Sequence, residues 1–407
     1  MQRVRMSLPY FKELGWEAEV VCVDEKYSGM VKDELLLQSY PADILIHKVK
    51  ALSEKWSRRL GFGSLGFRSM WHYRRKVSSL LVQKKYDLIY FSTTQFPVCI
   101  LGAYWKKRFG VPYVIDMQDP WYSDYYEDKP KSERPPKYKL VYALHKRLEA
   151  LAMKQVDGLI SVSDAYLQTL NRRYPRTLDI PSETITFGAF EKDFEIAKQT
   201  EVKPLAFEKH FFNCVYIGRG GKDMESAVAL LFEGFKEGLS ASPLLFGKFR
   251  FHFFGTSYAD NGRPSILPVA EKLGIAMYVN EQTDRLPFYQ SIATLLAAEA
   301  LIIPGSDSPG YTASKIYPYI MAQKPLLALF HKDSSAVKIL RECSPGSEVP
   351  TFPGDHTAVA KICDILKKWA ENKLAANPYD ADVFRRFSAR EMTGKQVALF
   401  NSVLTHS

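Results

Sequence analysis

Short apolar runs bounded by turn residues alternate with helix-period segments along nearly the whole chain. Before residue 190 the runs are EAEVVCV, DILIHKV, DLIYFS, PYVIDM and GLISVS; after it they are NCVYIG, FRFHFFG, AMYV, ALIIPG and PLLALF. Strand-length runs separated by helical segments predict parallel sheets covered by helices on both faces. Two such sets predict an α/β protein of two doubly wound, Rossmann-like domains, at residues 1–190 and 191–378. The boundary falls in EKDFEIAKQTEVKPLAFEK, where periodicity lapses and charge clusters. Ligands of paired α/β domains sit beyond the carboxyl ends of the strands, so a cleft between the domains is the expected site. The two ends modify this plan. A helix-like segment, Arg3 to Leu14, stands directly ahead of the first run, where such a domain usually begins with a strand and a Gly-rich turn; that first strand and loop are read as missing. Residues 379–407 end in VFRRFSAREMTGKQVALFNSVL, a helical pattern capped near Ser388 with Glu391 three residues on, expected to pack across the domain junction.

The most informative stretch runs from Leu301 to Phe330, LIIPGSDSPGYTASKIYPYIMAQKPLLALF. It reads as strand, polar loop, helix, strand. The loop brings free backbone N–H groups and a helix N-terminus to one point, where an anion is favoured, and Lys315 in the first turn adds a full positive charge. A second loop follows NCVYI: Gly218, Arg219, Gly220, Gly221, Lys222, Asp223. Its glycines permit close backbone approach to a phosphate, and Arg219 and Lys222 can neutralise two charges. Together the two loops describe a diphosphate clamp.

Composition changes the picture in two places. The 407 residues contain five widely spaced cysteines and no CxxC pair, which argues against a disulfide framework or a zinc site and for buried thiols. The net charge of +10 is local. Between Lys48 and Lys85 lie eleven Lys or Arg, including Arg58, Arg59, Arg74 and Arg75, against the single acid Glu54, interleaved with Trp56, Phe62, Phe67, Trp71 and Tyr73. This pattern suits an anionic membrane surface or a phosphate-bearing acceptor; no nucleic-acid recognition motif accompanies it. The N-terminus lacks a signal-peptide core and no run reaches about 18 apolar residues, so the expectation is cytoplasmic, peripheral at the inner membrane face. There is no HExxH, GxSxG or Walker pattern, and Asp380-Ala-Asp382 reads as a surface cap.

The chain resembles retaining glycosyltransferases of the GT-B fold, family 4, over nearly its whole length. The resemblance is carried by PYVIDMQDPW, DGLISVSDAYLQTLNRRYP, ITFGAFEKDF and, most specifically, GYTASKIYPYIMAQKPLLAL. It implies a nucleotide-diphosphate sugar bound by the second domain, an acceptor (a glycan or lipid-linked molecule) bound by the basic first domain, no essential metal or other cofactor, and retention of configuration. Carried over by residue, Gly218, Arg219, Lys222, Gly310, Tyr311, Thr312, Ser314, Lys315 and Tyr319 bind the donor. Asp119 is the catalytic carboxylate, with an Asx-turn cap ahead of Pro120 as its structural alternative; Trp121 stacks on a sugar or closes the core. Stabilising the leaving diphosphate is what such a site must supply.

The sequence also departs from the family. Two glutamates that often stand eight positions apart are here Gly310 and Pro318, neither able to bind ribose hydroxyls through a side chain; Phe187 replaces the Asn of an NG turn, and Gln118 an Arg. These departures keep two alternatives in view. One is a non-catalytic nucleotide-binding or scaffolding protein of the same fold, and the other an epimerase acting on sugar nucleotides.

Overall fold

A computed structural model describes residues 2–28, 33–59, 63–122, 124, 134, 138–257, 262–309, 315–373 and 377–406, with the side chains of Trp56, Arg58 and Arg59 also outside the description. Two compact units result. Unit 1 comprises residues 1–30, 40–187 and 389–407; unit 2 comprises 31–39 and 188–388.

Unit 1 holds six strands in two parallel sheets. The first pairs β1 (Val20–Val23) with β2 (Ile46–Val49); the second has the order β3 (Ile89–Ser92), β4 (Tyr113–Met117), β5 (Gly158–Ser161), β6 (Ser182–Thr184). The strand period of two explains both faces. Tyr113, Ile115, Met117 and Leu159 enter a core with Trp105, Leu148 and Leu170, while Val114 and Ile160 enter another with Leu8, Phe400 and Val403. The terminal helix Ala389–His406 belongs to unit 1, where it packs on the helix Gln2–Phe11 and on β5 and β6. Gly158 permits this: a Cβ there would overlap Val403.

Unit 2 is built on one six-stranded parallel sheet. Its order is β12 (Thr351–Phe352), β11 (Leu326–His331), β10 (Ala300–Pro304), β7 (Phe212–Ile217), β8 (Phe249–Phe254), β9 (Val279–Gln282). The chain runs outward from β7 to β9, then returns to β10 on the other side of β7. The topological switch point therefore lies between β7 and β10. Phe232, Phe235, Phe246, Phe249 and Phe251 fill the core, with rings 5.0–6.1 Å apart and mostly tilted or edge-on.

Most expected strands are present, with three corrections. AMYV is not a strand over its first three residues: Ala276–Tyr278 form a 3₁₀ turn, and the strand is the polar VNEQ that follows. An edge strand leaves one side to water, so its polarity is tolerated. β6 and β12, of three and two residues, were too short to stand out. Of the five free thiols, Cys99, Cys214 and Cys343 are buried, whereas Cys22 and Cys363 are only half-buried. Asp380 does cap the helix Ala381–Arg385, accepting from the N–H groups of Asp382 and Val383.

Candidate functional site

The expected diphosphate loops meet at the switch point of unit 2. The turn after β7 and the loop after β10 are stitched by a bond from the Asp307 N–H to the Asp223 carbonyl, 2.8 Å. Each glycine of the turn has its own cause. A Cβ at Gly218 would overlap the Lys315 ammonium, one at Gly220 would overlap the Ser265 hydroxyl, and Gly221 has a φ of 145°. The Gly220 N–H donates to the Thr256 carbonyl at 2.7 Å, pinning the turn to the end of β8.

Lys315 reaches back across the switch point. Its Nζ donates to the Tyr216 hydroxyl at 3.2 Å and lies 5.2 Å from that ring's centroid; the hydroxyl in turn donates to the Arg219 carbonyl at 2.8 Å. No carboxylate pairs with it among the described residues. Burial, reinforced by the nearby positive charges of Arg219 and Arg285, lowers its pKa to about 7. Arg219 has a partner: its two terminal nitrogens donate to Asp223 at 2.9 and 2.7 Å, a bidentate fork. Lys222 is exposed and makes no ion pair among the described residues.

The structure corrects part of the expected donor set. Lys315 is the residue before the helix Ile316–Met321, which has only six residues and no side-chain cap, so the ammonium rather than a helix dipole supplies the charge. Tyr319 faces inward and is buried; its hydroxyl accepts from the Ile217 N–H at 2.8 Å and donates to the Ile217 carbonyl at 3.3 Å, making it a strut for β7. Pro318 lies within the first turn, where its missing N–H leaves no helical bond unmade. Gly310, Tyr311, Thr312 and Ser314 lie outside the described residues. Sequence reasoning assigned no role to Arg285 or to Asp223, which it had placed in the turn. Only the second left a signal, an acid four positions after Arg219.

In unit 1, Asp119 lies just past the end of β4. It is exposed, makes no hydrogen bond or ion pair among the described residues, and therefore does not cap a turn; partial desolvation raises its pKa. Of the two readings of Trp121, its packing fits closure of the core: it is buried, stacks on Phe96 at 5.4 Å, and donates its indole N–H to His145 Nδ1 at 2.8 Å. The segment is braced by Arg173, whose guanidinium lies 3.8 Å from the Tyr122 ring centroid and bonds Glu149 and Asp124. Burial pushes the Glu149 carboxyl up to about 7, against the opposing effect of Arg173. Arg74 and Arg75 are exposed, lying over the rings of Tyr104 and Trp71 at 4.4 and 5.7 Å; Trp71 is 59% exposed. Arg58 and Arg59 carry no described side chain.

Beneath Asp119 lies a feature the sequence did not reveal. Asp116 Oδ2 accepts from Arg3 Nε (2.7 Å) on the helix Gln2–Phe11, from Tyr90 OH (3.1 Å) and Ser92 Oγ (3.1 Å) on β3, and from Gln118 Nε2 (2.8 Å) just past β4. Its Oδ1 is buried with no hydrogen-bond partner among the described residues. Arg3 also donates to the carbonyls of Thr186 and Ile185.

Two doubly wound units, with charged loops at the carboxyl ends of their strands, are the plan of the GT-B fold, and solved structures with that plan match this chain. HepE of Anabaena, described in complex with UDP-glucose, aligns with a TM-score of 0.52 at 16% identity, covering 89% of this chain and 86% of that one. A glycosyltransferase from Rickettsia africae aligns at 0.55 and 13% identity, covering 100% and 95%. The N-terminal domain of trehalose-6-phosphate phosphatase from Candida albicans aligns at 0.61 and 15%, covering 100% and 92%. Residues 2–180 match the family model described as glycosyl transferase 4-like domain. The family match is confined to the first domain, which is of the glycosyl transferase 4-like kind, and the likeness to these solved structures shows the GT-B fold over the chain. A comparison with curated protein sequences gave no match.

Proposed function

We propose that this chain transfers a sugar, with retention of configuration, from a nucleotide-diphosphate sugar to a glycan or lipid-linked acceptor in the building of a cell envelope or exopolysaccharide. Unit 2 binds the donor, and unit 1 the acceptor. The observation that carries this reading is Lys315: a largely desolvated amine without a carboxylate partner among the described residues, beside Arg219, at the switch point of a parallel sheet. Such an arrangement favours an anion with at least two charges. HepE, described with UDP-glucose bound, offers a donor of that class to test first.

Asp119, free of partners among the described residues and with a raised pKa, is the group available to act on the acceptor hydroxyl or the donor sugar. Asp119→Asn should lower transfer by roughly 100-fold or more while leaving the melting temperature unchanged. The reading needs no essential metal, so EDTA should leave the rate unaltered.

Calorimetry with UDP-, GDP-, ADP-, CDP- and dTDP-sugars tests the donor site directly. Absence of binding to all five would sink it and leave the scaffold reading. The helix Leu65–Gln83 presents Trp71, Arg74, Arg75 and Val82 to solvent, a pairing suited to an anionic bilayer. No helix among the described residues is long and apolar enough to cross a membrane. Flotation with liposomes should show binding that needs anionic lipid and fades with salt, and equal binding to neutral liposomes would remove the membrane assignment.

A further inference from the structure

Lys315 is an unusual cation because no carboxylate among the described residues balances its charge. Four groups from three elements bear on it. Tyr216, on β7, is a neutral phenol whose hydroxyl is already engaged with the Arg219 carbonyl. Arg219, on the turn after β7, adds a second positive charge, and both of its terminal nitrogens are engaged by the Asp223 carboxylate. Arg285, beyond the end of β9, adds a third positive charge. The ammonium also rests against Gly218, where any side chain would displace it. Burying a charge costs far more than burying a neutral amine unless an opposite charge accompanies it. A lysine tolerates such a place by releasing its proton, which an arginine cannot do.

We propose that Lys315 meets the donor as a neutral amine and takes up one proton as the diphosphate arrives, so that donor binding and proton uptake are one coupled event. The amine lone pair forms the new N–H bond with a proton drawn from the solvent buffer. The diphosphate, two negative charges, supplies the counter-ion the empty site lacks, and the proton returns to solvent when the nucleotide diphosphate leaves. The ammonium thus exists fully only while phosphate oxygens are present to accept from it. This proposal rests on the diphosphate reading of the same site. Its sign agrees with the shift of the empty-site amine to about 7, a consequence of burial and of the two arginines.

The test is calorimetric titration of the full chain with the five sugar nucleotides, in buffers of different ionisation enthalpy. A sugar diphosphate diester has no phosphate proton of its own to exchange near neutrality, so the proton count belongs to the protein. The expected uptake is about 0.9 proton per donor bound at pH 8, falling to about 0.1 at pH 6. Lys315→Arg, permanently charged, and Lys315→Met, never charged, should both bind more weakly and with an uptake near zero. Their melting transitions report whether each is folded. Binding by the natural chain with no uptake at pH 8, or uptake that survives in a folded Lys315→Met variant, would overturn the proposal while leaving the diphosphate site standing. Failure of all five donors to bind would remove both together.

Discussion

Each unit desolvates a basic side chain at the carboxyl end of its parallel sheet, Arg3 fully and Lys315 largely, and the two are treated in opposite ways. In unit 1, Arg3 is 2% exposed and is satisfied within the unit, by the Asp116 carboxylate and the carbonyls of Ile185 and Thr186. In unit 2, Lys315 donates to a phenol, has no carboxylate partner among the described residues, and has arginines for electrostatic neighbours. A buried charge that finds its partner inside the fold is part of the structure. One left uncompensated destabilises the empty fold and is tolerated where a ligand completes it. The contrast separates what holds unit 1 together from what unit 2 does.

The largest effect should come from breaking the satisfied pair. Arg3→Met leaves Asp116 buried without a counter-ion, at a cost of about 3–5 kcal/mol. Five of the six tryptophans lie in unit 1 and only Trp369 lies in unit 2, so tryptophan fluorescence in urea reads the unit concerned. The midpoint should fall, and Arg3→Met combined with Asp116→Leu should recover most of the loss. An unchanged midpoint in Arg3→Met would mean that the pair is not structural.

The opposite sign is expected of Lys315→Met. The native amine titrates near 7 against an ordinary lysine value of 10.5, so between those limits the unfolded chain holds a proton that the folded chain does not. The penalty is therefore full below about pH 7 and disappears above 10.5. Removing the amine should stabilise unit 2 on the order of 3 kcal/mol at neutral pH. The advantage of the variant should shrink steadily from pH 7 to pH 10 in thermal melts. A variant less stable than the parent at pH 7 would place Lys315 with Arg3, among the satisfied cations.

How legible this contrast was in the sequence depended on whether a partner was near in the chain. The turn at Gly218 to Lys222 and the lysine at 315 could be read because glycines after a strand and a cation after a polar loop have local causes. The GT-B fold was legible for the same reason, from strand-length runs at regular spacing. Arg3 and Asp116 stand 113 positions apart, and nothing local marks either as the other's partner. Asp116 even sits within PYVIDM, a run whose other residues are apolar. The inward placement of Tyr319 and Trp121 was not legible because an aromatic carries no sign of which face it occupies; only the inward turn of the helix Ile316–Met321 and the stacking on Phe96 decide it.

A smaller effect concerns Arg219, which lies between the two extremes. Truncation to alanine should weaken donor binding by about 1.5–3 kcal/mol, the range for a charge-assisted hydrogen bond. Its present partner complicates the loss, since Asp223 occupies both terminal nitrogens in the absence of ligand. Burial would raise the Asp223 pKa, but hydrogen bonds from Arg219 and Ser306 overcome it and the carboxylate stays ionised at neutral pH. A diphosphate must then either displace this carboxylate or use donors that Asp223 leaves open. Asp223→Asn separates the two cases. If the carboxylate competes, the substitution removes a rival anion and tightens donor binding by about 1 kcal/mol or less, the scale of a part-exposed ion pair, with the gain shrinking as salt is raised. If it serves instead to aim the guanidinium, affinity falls, and Arg219 belongs with Arg3 as a cation whose partner is built into the fold.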